Sequence, residues 1–184
     1  FKYKRSSKND SGVLFMIKKA LIFDAGPLIN LSMNGLLNVL ENLKKKFNGK
    51  FLITNYVKYE VVDRPIQIQR FELGALNIQK LINSGILELP ESIGISSEKI
   101  KTETMDLLNN ANHLAQFKGN WMNLVSEAEM SCLVLSSELN KKNIENLIAI
   151  DERTTRILCE NPENLAKIMS EKLHQNITIN PNNK

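Results

Sequence analysis

The chain is poor in the residues that announce the simplest chemistries. Two cysteines occur in 184 residues, Cys132 and Cys159, and neither has a CxxC neighbour. That excludes a disulfide framework and points to a reducing, cytoplasmic setting. The two histidines, His113 and His174, have no ligand-spaced partner, so no zinc site is expected. There is no GxGxxG or Walker loop and no G-x-S-x-G elbow, which removes the nucleotide-cofactor and hydrolase-elbow readings. No apolar run approaches the ~20 residues that cross a bilayer, and no membrane partner is expected. Charge of one sign is scarce as well. Against 24 basic residues stand 20 acidic ones, and a net charge of +4 permits a polyanion partner without requiring one.

What is present is an ordinary globular composition, 42% hydrophobic and 24% charged, at a length that suits one domain with a proper core. The stretch "KYKRSSKNDSG" has no period, so residues 1–17 read as a flexible basic tail or extension. Residues 18–180 read as a single domain, with a helical insertion at about 66–120 and a short tail at 181–184.

Within that domain, short β-rich runs alternate with helical patterns. "ALIFD" is the first strand, "KFLIT" the second, "ILEL" the third and "NLIAID" the fourth, with "NITIN" as a last strand. Between the first two, apolar residues from Leu28 to Leu43 recur at helical spacing, with Gly35 as a joint and Gly49 as the stop. "YVKYEVVD" is a short helix capped by Thr54 or Asn55 and ended at Arg64-Pro65. The stretches "IQRFELGALNIQKLINSG", "SEKIKTETMDLLNNANHLAQF" and "SEAEMSCLVLSSELNKK" are further helices, and two more follow at about 153–160 and 163–174. This alternation predicts an α/β fold with a mostly parallel sheet and helices on both faces.

In such sheets ligands bind beyond the carboxyl ends of the strands. Asp24 and Asp151 both fall at that edge, Glu60 lies on the short helix after the second strand, and Glu127 opens the "SEAEM" helix. Four carboxylates brought together would raise one another's pKa unless a cation intervened. All-oxygen ligands of this kind suit Mg²⁺ or Mn²⁺. Each acid also has a bland reading. Asp24 and Asp151 could cap the helices that follow them, and Glu60 could be solvated. In "SEAE" the Ser-x-x-Glu spacing makes Ser126 and Glu129 a capping box, which leaves Glu127 as the candidate ligand. Lys58, Arg64 and Arg153 could contact phosphate or serve as ion partners. Trp121 reads as a packing residue or a stacking platform.

The stretches "LIFDAGPLINL", "ITNYVKYEVVDRP", "SEAEMSCLVL" and "IAIDERTTRIL" resemble, in that order, the four motifs of the PIN-domain family, over about residues 17–160. The resemblance is to its prokaryotic and archaeal branch of toxin-type ribonucleases and stand-alone relatives. It implies a three-layer α/β/α sandwich around a central parallel sheet. It also implies metal-dependent endonucleolysis of RNA, with Asp24, Glu60, Glu127 and Asp151 as the Mg²⁺ or Mn²⁺ ligands. An antitoxin or other protein partner and a homodimer are further implications. The family often has Ser, Thr or Asn where this chain has Gly26, and commonly Asp where it has Glu127. The alternative is a catalytically weak or inactive module of the same fold that binds RNA or protein. A haloacid-dehalogenase reading of "LIFDAG" fails because Gly26 occupies the place of its second Asp, and the acids of a receiver domain cannot be assembled.

Overall fold

The computed structural model describes residues 18–113, 115–151, 155, 157, 164–174 and 177–179. The expected basic tail, Glu152, Arg153, Cys159 and most of the helix expected at 153–160 lie outside the described residues.

The apolar run after Lys18 forms β1 (Lys19–Phe23), at the centre of a three-stranded sheet. On one side it pairs in parallel with β2 (Lys50–Leu52), and on the other with β5 (Glu145–Ala149). The "ILEL" stretch contributes a single parallel bridge, Leu52 to Glu88, rather than a full strand. The Glu88 N–H donates to the Phe51 carbonyl and the Ile53 N–H donates to the Glu88 carbonyl, so the sheet edge beyond β2 is partly covered.

Two helices cross from β1 to β2: α1 (Ala25–Met33) and α2 (Asn38–Lys46). The joint between them holds Gly35 at φ 68°, a left-handed conformation that glycine adopts without a Cβ penalty. α2 ends on Lys44, Lys45 and Lys46, cations at the negative end of its dipole. After β2 come α3 (Asn55–Lys58) and a π-helical turn (Tyr59–Asp63), then a 3₁₀ turn (Pro65–Gln67) and α4 (Gln69–Asn83). A second 3₁₀ turn (Pro90–Ile93) leads to α5 (Ser97–Ala111). Farther on are α6 (Glu127–Lys141) and α7 (Leu165–Leu173).

The helix expected to run through "HLAQF" stops at Ala111. Residues Ala115–Phe117 are strand β3, turned back onto β4 (Asn120–Trp121) through Lys118 and Gly119, both at positive φ. Two adjacent left-handed residues match the twist of a tight hairpin, and that pull overrides the helical pattern. The last strand, β6 (Thr178–Ile179), pairs antiparallel with β3 and not with the central sheet.

The main core lies between the sheet and its helices. Ile22, Phe51, Leu52, Leu28, Leu135 and Leu139 are fully or nearly fully buried, each worth about 1.5–3 kcal/mol relative to exposure. The Phe23 and Phe51 rings meet edge to face at 5.3 Å. α6 packs on both β1 and β5, and α1 packs on α4. A smaller cluster of Ala111, Leu124, Val125, Met130, Met169 and Ile177 joins the hairpin region to α6 and α7. The architecture is α/β with a small parallel sheet, compatible with a three-layer layout. Among the described residues no helix is long and apolar enough to cross a membrane.

Candidate active site

Because β1, β2 and β5 are parallel, the residues that follow them emerge along one edge. Asp24 follows β1, Thr54 lies two residues past β2, and Asp151 lies two past β5. The Asp24 N–H donates to the Ala149 carbonyl at 3.0 Å, tying the first of these positions to the strand that carries the third.

Asp24 occupies the N-cap position of α1, yet its side chain makes no cap hydrogen bond. It is only 4% exposed, and its Oδ1 is buried without a hydrogen-bond partner. Burial pushes its carboxyl pKa up. The Ala25 and Gly26 amides oppose the shift without forming a well-aligned cap, and the charges of Glu129 and Asp151 reinforce it. The capping role that sequence alone allows is therefore not the role Asp24 fills.

Asp151 is exposed and turns its carboxylate onto the start of α1. Its Oδ2 accepts from Asn30 Nδ2 at 2.8 Å. Its Oδ1 lies so close over Gly26 that a Cβ there would come within 2.0 Å of it. Gly26 thus makes the room Asp151 occupies. Gly26 and Asn30 are four apart on α1 and share a face, a helical spacing that sequence reading could have used and did not.

Glu60 is placed by the chain after β2. Thr54 Oγ1 accepts from the Val57 N–H at 3.2 Å and caps α3 as expected. Thr54 is itself fully buried, with its hydroxyl 2.6 Å from Ser131 Oγ on α6. The π turn closes with the Arg64 N–H on the Tyr59 carbonyl, and single π turns of this kind are frequent at functional sites. Glu60 is partly buried, which pushes its pKa up. Asp24 and Glu129 raise it further, Arg64 opposes, and Glu127 adds a smaller push upward.

The "SEAE" segment forms the expected capping box: Glu129 N–H to Ser126 Oγ at 3.2 Å and Ser126 N–H to Glu129 Oε2 at 3.1 Å. Glu129 does more than cap. Its Oε2 also accepts from Thr155 Oγ1 at 2.6 Å, and its charge acts on both Asp24 and Glu60. Glu127 is exposed and faces Tyr56 and Glu98 in a neighbouring cavity, so of the two it is Glu129 that stands with Asp24. The capping-box pattern hid this second position, because one side chain serves both.

Of the candidate phosphate contacts, Lys58 is paired with Asp63 at 2.9 and 3.0 Å rather than with Glu60. Arg64 lies beside Glu60 and lines the same apolar cleft. Arg153 is outside the described residues. Trp121 is 42% exposed and leans on the His113 ring at 5.1 Å. Cys132 is fully buried under β1, and burial pushes its thiol well up, which makes it a packing residue.

The donor chemistry at this edge is all oxygen and anionic, and Asp24 Oδ1 is a buried acceptor without a donor, as a ligand to a hard cation would be. Among the described residues, no three of His, Cys, Asp and Glu are drawn together closely enough to hold one ion. The fit therefore rests on Asp24 and on the charges around it rather than on a closed ligand set. No family model matches the chain, and neither a curated protein nor a solved structure does.

Proposed function

We propose that this chain is a PIN-like endoribonuclease that hydrolyses RNA with Mg²⁺ or Mn²⁺. One observation carries the reading: Asp24, buried at a helix start it does not cap, keeps an unpartnered oxygen amid the charges of Glu129, Asp151 and Glu60. The order of the four sequence motifs supports it, as does the position at the carboxyl edge of the sheet.

In this reading Asp24 and Asp151 would hold the ion, with Glu60 and Glu129 as the neighbouring acids. Such an ion, when bound, lowers the pKa of a water and steadies charge on a phosphate oxygen. The chain's own residues do the rest. Asn30 orients Asp151 through its Oδ2, and Gly26 leaves space for the other oxygen. Thr155 and the Ser126 amide fix Glu129. Glu60, raised by burial and its acidic neighbours, keeps a proton at higher pH than a free carboxyl, the property a general acid or base needs. Arg64, beside it, offers a cation to phosphate.

A second reading, a non-catalytic RNA-binding module, draws on the dispersed arrangement of the acids. Incubation of single-stranded RNA with the protein and Mn²⁺ separates the two. Hydrolysis by water leaves no 2′,3′-cyclic phosphate, and Asp24→Asn removes the cleavage. Intact RNA with bound protein favours the module. Equal cutting by Asp24→Asn contradicts the assignment of Asp24.

A further inference from the structure

A cavity of about 320 Å³ lies beside the acidic edge, between α3 with its π turn, the first turn of α5 and the start of α6. That is at the low end of the ~300–1,000 Å³ range of small-molecule sites. Its lining combines two aromatic rings with polar groups: Tyr56 and Tyr59, Asn55, Glu98, Lys101 and Glu127. Tyr59 is 57% exposed, an aromatic face offered to solvent. Tyr56 is partly buried against the main core, and its hydroxyl pKa is raised by burial and then by the charges of Glu127 and Glu98. Both carboxylates thus line the cavity and act on the same hydroxyl, with the Glu98 side chain largely open to solvent.

Lys101 pairs with Glu98 only at 3.9 Å in an exposed i,i+3 contact, so Glu98 retains oxygens for a ligand. The cavity adjoins the candidate active site directly. Tyr59 precedes Glu60 in the π turn, which sends Tyr59 to this cavity and Glu60 to the cleft shared with Arg64. The Glu127 charge reaches Glu60.

We propose that this cavity is a base-binding subsite that takes one unpaired nucleobase of the RNA, stacked on Tyr59 with its polar edge toward Glu98 and Glu127. Two carboxylates accept and do not donate, so the favoured base is the one with adjacent N–H donors. Guanine fits best, because N1–H and the N2 amino group lie side by side for one carboxylate. The two carboxylates outnumber the one lysine of the lining, Lys101, and so favour a base over a phosphate. The inference rests on the ribonuclease reading and adds a base preference to it.

The test measures equilibrium binding of labelled decaribonucleotides in EDTA, using the full chain. One oligonucleotide is all uridine, and the other carries a single central guanosine. Cleavage of the same pair is then followed in Mn²⁺. The guanosine oligonucleotide should bind at least about fivefold tighter. Tyr59→Ala should lose about fivefold or more in affinity, the low end of what base stacking contributes, while Tyr59→Phe should keep it. Glu98→Gln should abolish the guanosine preference while leaving uridine binding no weaker. Tyr59→Ala and Glu98→Gln binding both oligonucleotides with the parent's preference would overturn the subsite. If Mn²⁺-dependent cleavage persists in that case, the nuclease reading stands. If the parent neither binds nor cleaves either oligonucleotide, both readings fall.

Discussion

Replacing Asp24 with Asn perturbs the site at its least comfortable point. The carboxylate is 4% exposed, its Oδ1 has no donor, and it feels both Glu129 and Asp151. A buried acceptor left unpaired costs about 1–3 kcal/mol. Asn keeps the shape, removes the charge and brings an NH₂ group that can donate to a neighbouring carboxylate. A gain of about 1–2 kcal/mol in metal-free buffer is expected, and at this chain length each kcal/mol moves Tm by about 2–4 °C. The gain also has a pH signature. The folded pKa of Asp24 is raised above its ordinary 3.8, so the stability tied to its protonated form is complete at low pH and lost as pH rises through the folded value. The variant has no such loss, so its advantage should open as pH climbs from 3.8 to the folded value, hold level above it and close in acid. Calorimetric melts in EDTA across pH measure it. A variant less stable than the parent at neutral pH, or a difference that ignores pH, would refute the account of Asp24 as an unrelieved buried charge.

Other expectations follow from the same geometry. Gly26→Ala should displace the Asp151 carboxylate, which would otherwise meet the new Cβ at 2.0 Å. Because that carboxylate is the movable end of an exposed side chain, stability should change by less than about 1 kcal/mol in melts while RNA cleavage falls at least tenfold. Thr155→Val removes one of the two hydrogen bonds that Glu129 Oε2 accepts, the other coming from the Ser126 amide. A loss of about 1.5–3 kcal/mol in denaturant titrations is expected, because the acceptor is charged. Glu129→Gln should weaken Mn²⁺ binding more than Glu127→Gln does, and equal effects in titration would oppose the placement of Glu129 beside Asp24. Glu138 is held below its ordinary 4.5 by Lys141 and Lys99, so its contribution is present above that value and lost as pH falls through the folded one. Glu138→Gln should accordingly melt earlier than the parent at neutral pH, with the gap narrowing in acid.

The sequence made the central sheet legible because β1, β2 and β5 are short apolar runs that end at a turn or an acid. The Gly35 joint and the Thr54 cap were readable for local reasons, a left-handed turn and a hydroxyl before a helix. The β3–β4 hairpin was not read, because "HLAQF" continues a helical apolar spacing and only the Lys118-Gly119 pair marks the reversal. In the candidate site, Asp24, Asp151 and Glu60 were singled out from their positions at element ends. Glu129 was not, because its capping pattern offered a complete local explanation and its contact with Thr155 spans 26 residues. The value of Gly26 was equally hidden, since it lies in what a distant carboxylate needs to pass.

The central claim is that the Asp24 carboxylate belongs to an anionic pocket that takes a divalent ion. Mn²⁺ titration followed by the loss of the free-ion electron paramagnetic resonance signal tests it on the parent and on Asp24→Asn. The account predicts saturable binding by the parent that weakens at least tenfold in the variant. Identical curves for the two proteins, or no binding by the parent at millimolar Mn²⁺, would contradict it.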